Sequence, residues 1–227
     1  MLEKQEPDVS VVIPAFNAAE TLSELVHRLR PYVELQDIIV VDDGSTDHTL
    51  EVTKRIGVMT LPHARNYGKG RALRTGFEYI LSSTQHEAVL TMDADLQHKP
   101  DDVPSFFSTR ERMLTDMIIG YRKRWGTNMP FARKLSNSIT SSLIAARTGR
   151  EIKDSQCGFR LLSRRLLETV TTTADGYEAE TEQLIKAALS GFSIEFVPIQ
   201  TVYENERSHI THVATTLRFL HTLLKDY

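Results

Sequence analysis

Short aliphatic runs, two of them ending in paired carboxylates, constrain this chain more than any other feature. Val9 to Phe16 (VSVVIPAF), Asp37 to Asp43 (DIIVVDD) and the start of Ala88 to Pro100 (AVLTMDADLQHKP) each read as a strand buried on both faces. Between the first two, Asn17 with Glu20 makes a capping-box-like helix start, and Leu22, Leu25, Val26 and Leu29 recur at helical spacing until Pro31. Continuous apolar strands alternating with amphipathic segments predict an α/β fold with a mostly parallel central sheet flanked by helices. Ligands of such sheets bind beyond the carboxyl ends of the strands, where Asp42, Asp43, Asp93 and Asp95 all fall.

Asp93 and Asp95 are two residues apart, so both can face one ligand as the strand frays. With the amide oxygen of Gln97 they form a hard-oxygen set suited to Mg²⁺ or Mn²⁺. The competing reading is a capped loop, with Asp95 and Asp102 at the start of a helix that Pro100 suits. Four acids on one rim repel one another unless a cation, or donors such as a base and ribose hydroxyls, lies among them. His63 to Phe77 (HARNYGKGRALRTGF) lacks both the Walker spacing and G-x-G-x-x-G. It reads either as a helix entry near Lys69 that offers backbone N–H groups and a cation to an anion, or as a turn whose glycines only permit close packing.

Composition narrows the class. A chain of 227 residues suits one large domain, and its single cysteine, Cys157, permits no internal disulfide and fills a small buried gap on this reading. No signal-peptide pattern or membrane-spanning run is present, which predicts a cytoplasmic protein, soluble or peripheral on the cytoplasmic face of a membrane. Net charge is −3, but Arg122 to Arg165 holds eleven Lys and Arg against Glu151 and Asp154, +9, leaving −12 elsewhere. That stretch is either a site for an anionic partner, a phosphate-bearing substrate or an anionic membrane surface, or a solvated helix face. Nucleic acid is not expected, because no aromatic interleaving accompanies the charge.

The ordered set VVIPAFN, VVDDGSTDHT, NYGKGRA, TMDADLQH, GYR and CGFRLL resembles glycosyltransferase family 2, most closely its polyprenol-phosphate sugar transferases of the dolichyl-phosphate mannosyltransferase type, over about residues 9 to 210. The resemblance implies a GT-A fold in a single domain, with a Rossmann-like nucleotide-sugar half at 9–100, an acceptor half at 101–210 and a C-terminal amphipathic helix at 211–227. It implies a GDP- or UDP-hexose donor, a Mg²⁺ or Mn²⁺ ion, and inversion at the anomeric carbon. Pro14, Phe16, Asn17, Val41, Asp43 and Lys69 would hold the donor with Asp93 and Ala94; Asp93, Asp95 and Gln97 would hold the metal; Arg122 and Arg133 would clamp an acceptor polyprenyl phosphate, with Asp95 and Arg122 central to catalysis. Phe16 and Ala18 replace the polar pair common at the family's first motif. Near Tyr203 only Arg207 remains for a donor diphosphate contact.

An acceptor monophosphate is mostly a ready nucleophile at pH 7 and needs holding rather than a base, which arginine forks provide. A hydroxyl acceptor, on a soluble sugar or a protein, would need a base, for which Glu180, Glu182 and Asp154 are candidates. Asp154 could equally fix its turn, and Glu178, Glu180 and Glu182 could equally serve a helix N-terminus. His98 is expected as a loop histidine. A sugar-nucleotide nucleotidyltransferase would show a Gly-rich basic loop where this chain has PAFNAAE, and a non-catalytic nucleotide-binding module would not need both acids and a basic region. The last segment, Thr211 to Tyr227, places Val213, Leu217, Leu220 and Leu224 on one face, a helix that either packs on its own sheet or lies at a membrane interface, alone or with a membrane-protein partner.

Overall fold

The computed structural model describes residues 8–122, 131–201, 219, 221–225 and 227, with side chains from 134 onward in the second stretch. Among the described residues seven strands are interleaved with seven α-helices: β1 Val9–Ala15, α1 Leu22–Leu29, β2 Ile38–Asp42, α2 Thr49–Ile56, β3 Met59–Pro62, α3 Lys69–Ser83, β4 Ala88–Thr91, α4 Val103–Met113, β5 Met117–Arg122, α5 Phe131–Thr148, β6 Arg160–Ser163, α6 Arg164–Thr169, α7 Glu178–Leu189 and β7 Ile194–Ile199. They form one sheet of order β3-β2-β1-β4-β6-β5-β7. Val11, Val12, Ile38, Val40, Ala88 and Leu90 are inaccessible to solvent, as strands covered on both faces require.

One strand runs against the rest. β6 pairs antiparallel with both β4 and β5, and Arg160 at its amino end faces Thr91 at the carboxyl end of β4 and Ile119 in the middle of β5. This reversal delivers the preceding loop, Asp154 to Phe159, to the same rim as Asp93, Asp95 and Arg122. Alternating apolar segments alone do not reveal it.

Several local expectations are corrected. α1 begins at Leu22 with Thr21 at its N-cap, and no side chain caps it. Asn17 instead takes a left-handed conformation, φ 53°, and its Oδ1 accepts the Thr46 N–H at 2.8 Å, tying the β1–α1 turn to the β2–α2 turn. Asp102 occupies the N-cap of α4 without a capping bond; its Oδ2 accepts the Gln200 N–H at 2.8 Å and anchors the end of β7. At the C-terminus, Leu223 is buried and Leu224 exposed, so the apolar face is set differently from the expected one. Arg147 of α5 donates to the carbonyls of Thr222, Leu223 and Lys225, which packs this short piece on its own fold. Val213, Leu217 and Leu220 lie outside the described residues, as do Arg207 and the side chain of Arg133.

Candidate active site

Four segments converge at the carboxyl rim on one lysine. Lys69, the first residue of α3, reaches Asp93 Oδ1 at 2.6 Å and Glu180 Oε2 at 3.0 Å. Gly158 of the loop before β6 closes the group: a Cβ there would stand 2.6 Å from Lys69 Nζ, 2.7 Å from Asp93 Oδ2 and 3.0 Å from Glu180 Oε1, so only glycine lets the loop approach. Burial alone would lower the Lys69 pKa, but Asp93 and Glu180 raise it above the ordinary lysine value. Burial likewise works to raise Asp93, and Lys69 with His98 and Arg160 holds it below the usual carboxylate range. Ammonium and carboxylate are therefore both charged at neutral pH.

At the α3 N-terminus the glycines permit close packing by the loop before α7. Arg71 N donates to Asp175 O at 3.2 Å, and a Cβ on Gly70 would lie 2.6 Å from Ala174 O. The loop before α7 thus supplies a carbonyl that satisfies one first-turn N–H, that of Arg71. Asp43 is similarly engaged. Its Oδ1 accepts from His63 Nδ1 at 2.7 Å and Tyr67 N at 3.0 Å, and its Oδ2 from Gly68 N at 2.8 Å. It holds the loop that leads into Lys69. Val41 is buried beside Gly76 of α3, so its side chain does not line the rim. Pro14 is half-buried, whereas Phe16 is 47% exposed and presents an aromatic face at the end of β1. Ala94 is buried, and its carbonyl accepts the Thr21 hydroxyl at 2.6 Å, fixing the β4 turn against α1.

Beyond β4, Asp95 is exposed, Leu96 is held left-handed at φ 60°, and Gln97 N donates to Asp95 Oδ1 at 3.0 Å. An aliphatic residue in that conformation marks a strained turn that presents the carboxylate outward. Among the described residues no three His, Cys, Asp or Glu side chains are grouped to hold a metal. One or two carboxylates with an amide oxygen nevertheless fit Mg²⁺ or Mn²⁺, which complete their shells with water and substrate phosphate; they do not fit a structural zinc site.

Arg122 at the end of β5 forms a buried fork with Asp154: Nε to Oδ2 at 2.8 Å and Nη2 to Oδ1 at 3.0 Å. Burial would raise Asp154, and Arg122 holds it well below the usual range. Asp154 thus orients the guanidinium. The glutamates of α7 separate. Glu182 accepts the N–H groups of Thr173 and Ala174 and pairs with Lys186 at 2.7 Å, a structural role. Glu180 faces Lys69, and its Oε1 is buried with no hydrogen-bond partner.

Three features were not read from the sequence. Arg160 is buried and donates to the carbonyls of Cys157 (2.8 Å), Glu180 (2.7 Å) and Ser155 (3.1 Å), stapling the Gly158 loop to α7. Arg164 donates to the carbonyls of Ile80, Leu81, Thr84 and His86 and so closes the C-terminal end of α3. With Arg165 on Asp116 and Arg150 on the Phe192 carbonyl, much of the basic stretch holds the fold together. An arginine inside the apolar run CGFRLL was the available signal.

The third is the burial of His98, which lies in the β4–α4 loop as expected but is stacked on Phe159 at 5.7 Å. Its Nδ1 has no hydrogen-bond partner. Burial pushes its pKa down to about 4, against the pull of Asp93. An unfolded histidine protonates near 6.5, so between pH 6.5 and 4 the unfolded chain binds more protons and stability falls on acidification, by up to about 3 kcal/mol. Urea titrations of wild type and His98→Gln should diverge in this window; parallel curves would refute the buried neutral imidazole. Asp93 and Asp154, with lowered pKa values, give up their stabilisation only below the ordinary aspartate value near 4. Cys157 beside it is buried, with its thiol pushed up to about 12, and is inert.

Residues 10–171 match the profile of Glycosyl transferase family 2. The chain belongs to this family. An uncharacterised protein of Methanocaldococcus jannaschii is 33% identical over 98% of this chain and 93% of its own length. The UDP-N-acetylglucosamine–dolichyl-phosphate N-acetylglucosaminyltransferase of Methanococcus voltae is 29% identical over 95% of this chain and 94% of that enzyme. A dodecaprenyl-phosphate galacturonate synthase of Rhizobium johnstonii is 30% identical over 73% of this chain but 51% of its own length. Glucosyl-3-phosphoglycerate synthase of Mycobacterium tuberculosis, crystallised with Mn²⁺, UDP and glucosyl-3-phosphoglycerate, matches with a TM-score of 0.76 at 23% identity, over 95% of this chain and 78% of that one. The architecture is the GT-A fold, and this family 2 member is a glycosyltransferase.

Proposed function

We propose that the chain transfers a hexose, with inversion, from a nucleotide-diphosphate sugar to a polyprenyl phosphate. The observation that carries this reading is the match to the dolichyl-phosphate transferase of M. voltae along nearly the whole of both chains. The rim geometry supports it. Phe16 offers a stacking face for a base, and the Lys69–Asp93–Glu180 group, braced by Gly158 and Arg160, forms a rigid floor for the sugar. Asp95 with Gln97 would hold Mg²⁺ or Mn²⁺, which when bound offsets charge growing on the leaving diphosphate. Arg122, oriented by Asp154, together with Arg133, would hold the acceptor phosphate in line. The Glu180 oxygen without a partner favours a second reading, transfer to a hydroxyl with Glu180 as base.

Thermal shift with GDP-mannose, UDP-glucose and UDP-N-acetylglucosamine, each with and without Mn²⁺, tests the donor side. A ligand at 100 times its Kd should add about 2.7 kcal/mol of stability, so one donor should stand out in the presence of metal. Transfer from that donor to a short-chain polyprenyl phosphate should follow. A shift with no donor, or a shift with no transfer to any polyprenyl phosphate, refutes the reading.

A further inference from the structure

Asp43 is nearly spent as a hydrogen-bond acceptor. An ionised carboxylate offers about four lone-pair sites, two on each oxygen, and has no proton to give. Oδ1 takes the His63 Nδ1 proton at 2.7 Å and the Tyr67 N–H at 3.0 Å, so both of its sites are filled. Oδ2 takes the Gly68 N–H at 2.8 Å, which leaves one site among the described residues. His63 is held on Oδ1 from its far side. Its Nε2 lies 3.0 Å from Thr75 Oγ1 on α3, and its ring packs edge-on against Tyr67, with centroids 5.4 Å apart. The loop itself has no room to shift toward β2, because a Cβ on Gly44 would already collide with the Arg65 backbone.

The position of Asp43 decides what meets its last site. Asp43 N donates to Ala15 O at 2.8 Å, which sets the buried acid at the carboxyl ends of β1 and β2, next to the residue that Phe16 follows. Phe16 and Tyr67 are exposed, two aromatic faces at the end of the sheet where ligands of such folds bind. Exposed aromatics around an acceptor-only group suit a flat heterocycle that carries an N–H. Bases differ in the donors they bring along their pairing edge. Guanine brings two neighbouring donors, N1–H and N2–H, and grips a carboxylate with one on each oxygen; Oδ1 has no site for the second. Uracil brings a single donor, N3–H, which one site on Oδ2 satisfies. Cytosine, of the same size, carries an acceptor at N3 and would face the carboxylate lone pair to lone pair. We propose that Asp43, saturated by His63 and the Tyr67–Gly68 backbone, selects a uridine nucleotide, so that the donor is a UDP-sugar and not a GDP-sugar. The inference deepens the transferase reading and rests on it for the presence of a nucleotide.

The test is isothermal titration of the full chain with UDP, GDP and CDP, each with Mn²⁺, which needs neither sugar nor acceptor. UDP should bind about tenfold to hundredfold more tightly than GDP, whose second N–H is buried without an acceptor, and more tightly than CDP by a similar factor. His63→Phe removes the proton from Oδ1 and opens a site for the second guanine donor, so the ratio of the GDP to the UDP dissociation constant should fall about fivefold or more. His63→Asn, whose amide N–H can stand where Nδ1–H stood, should keep the ratio. Each protein is titrated well below its own melting temperature, and a ratio taken within one protein is insensitive to a loss of stability; the wild-type comparison decides alone should His63→Phe fail to fold. GDP or CDP binding as tightly as UDP, or an unchanged ratio in folded His63→Phe, would each overturn selection by Asp43 while leaving nucleotide binding intact. Binding of none of the three would overturn the nucleotide-sugar reading itself, and this inference with it.

Discussion

Arg122→Ala should destabilise the protein by about 3–5 kcal/mol, besides abolishing transfer. The cause is Asp154: it is buried, its carboxylate accepts the guanidinium fork at 2.8 and 3.0 Å, and truncation leaves that charge without its partner. For a chain of this size the loss corresponds to a fall in melting temperature of roughly 10 °C or more. The pair Arg122→Leu with Asp154→Leu removes both charges and should regain most of the stability while remaining inactive. That pattern separates the two roles of Arg122, since stability follows the pair and activity follows the arginine. If the double variant regained activity, or if Arg122→Ala bound acceptor normally by titration in a folded state, the clamp would be refuted.

Asp95→Asn should do the reverse, leaving stability within about 0.5 kcal/mol of wild type and lowering turnover by about 10²–10³-fold. Asp95 is exposed at the tip of its turn, so little packing depends on its charge. An amide keeps the shape and can still accept the Gln97 N–H, but it is a poor ligand for a divalent ion. The donor-induced thermal shift should become independent of Mn²⁺. Unchanged kcat/KM with an unchanged metal response would rule out Asp95 as the metal ligand.

Much of this site was legible before the fold was known, because carboxyl ends of buried strands are recognisable from apolar runs that stop at acids. Asp42, Asp43, Asp93 and Asp95 were placed on one rim by that logic, and Arg122 was singled out only by the family resemblance. What each does there was not legible. Asp43 and Asp93 look alike in sequence, yet one holds the loop from His63 to Gly68 and the other pairs with Lys69. Glu180 and Glu182, two residues apart on α7, divide between the site and the loop at Thr173. A helix turns 100° per residue, so neighbours in the chain face different surroundings. The basic middle stretch misled in the same way: a charge count cannot tell an arginine bound to buried carbonyls, such as Arg160, from one awaiting an anion.

The sequence by itself determined the α/β class, the strand ends that carry the acids, the start of α3 at Lys69 and the family, since these follow from local periodicity and ordered motifs. Only the tertiary structure decided the antiparallel insertion of β6, which brings Asp154 and Gly158 to the rim, and the partners of every buried charge. It also decided which face of α5 meets the protein. Pairing across a sheet and burial of an ion join residues up to 111 positions apart, as with Lys69 and Glu180, and no local pattern encodes them.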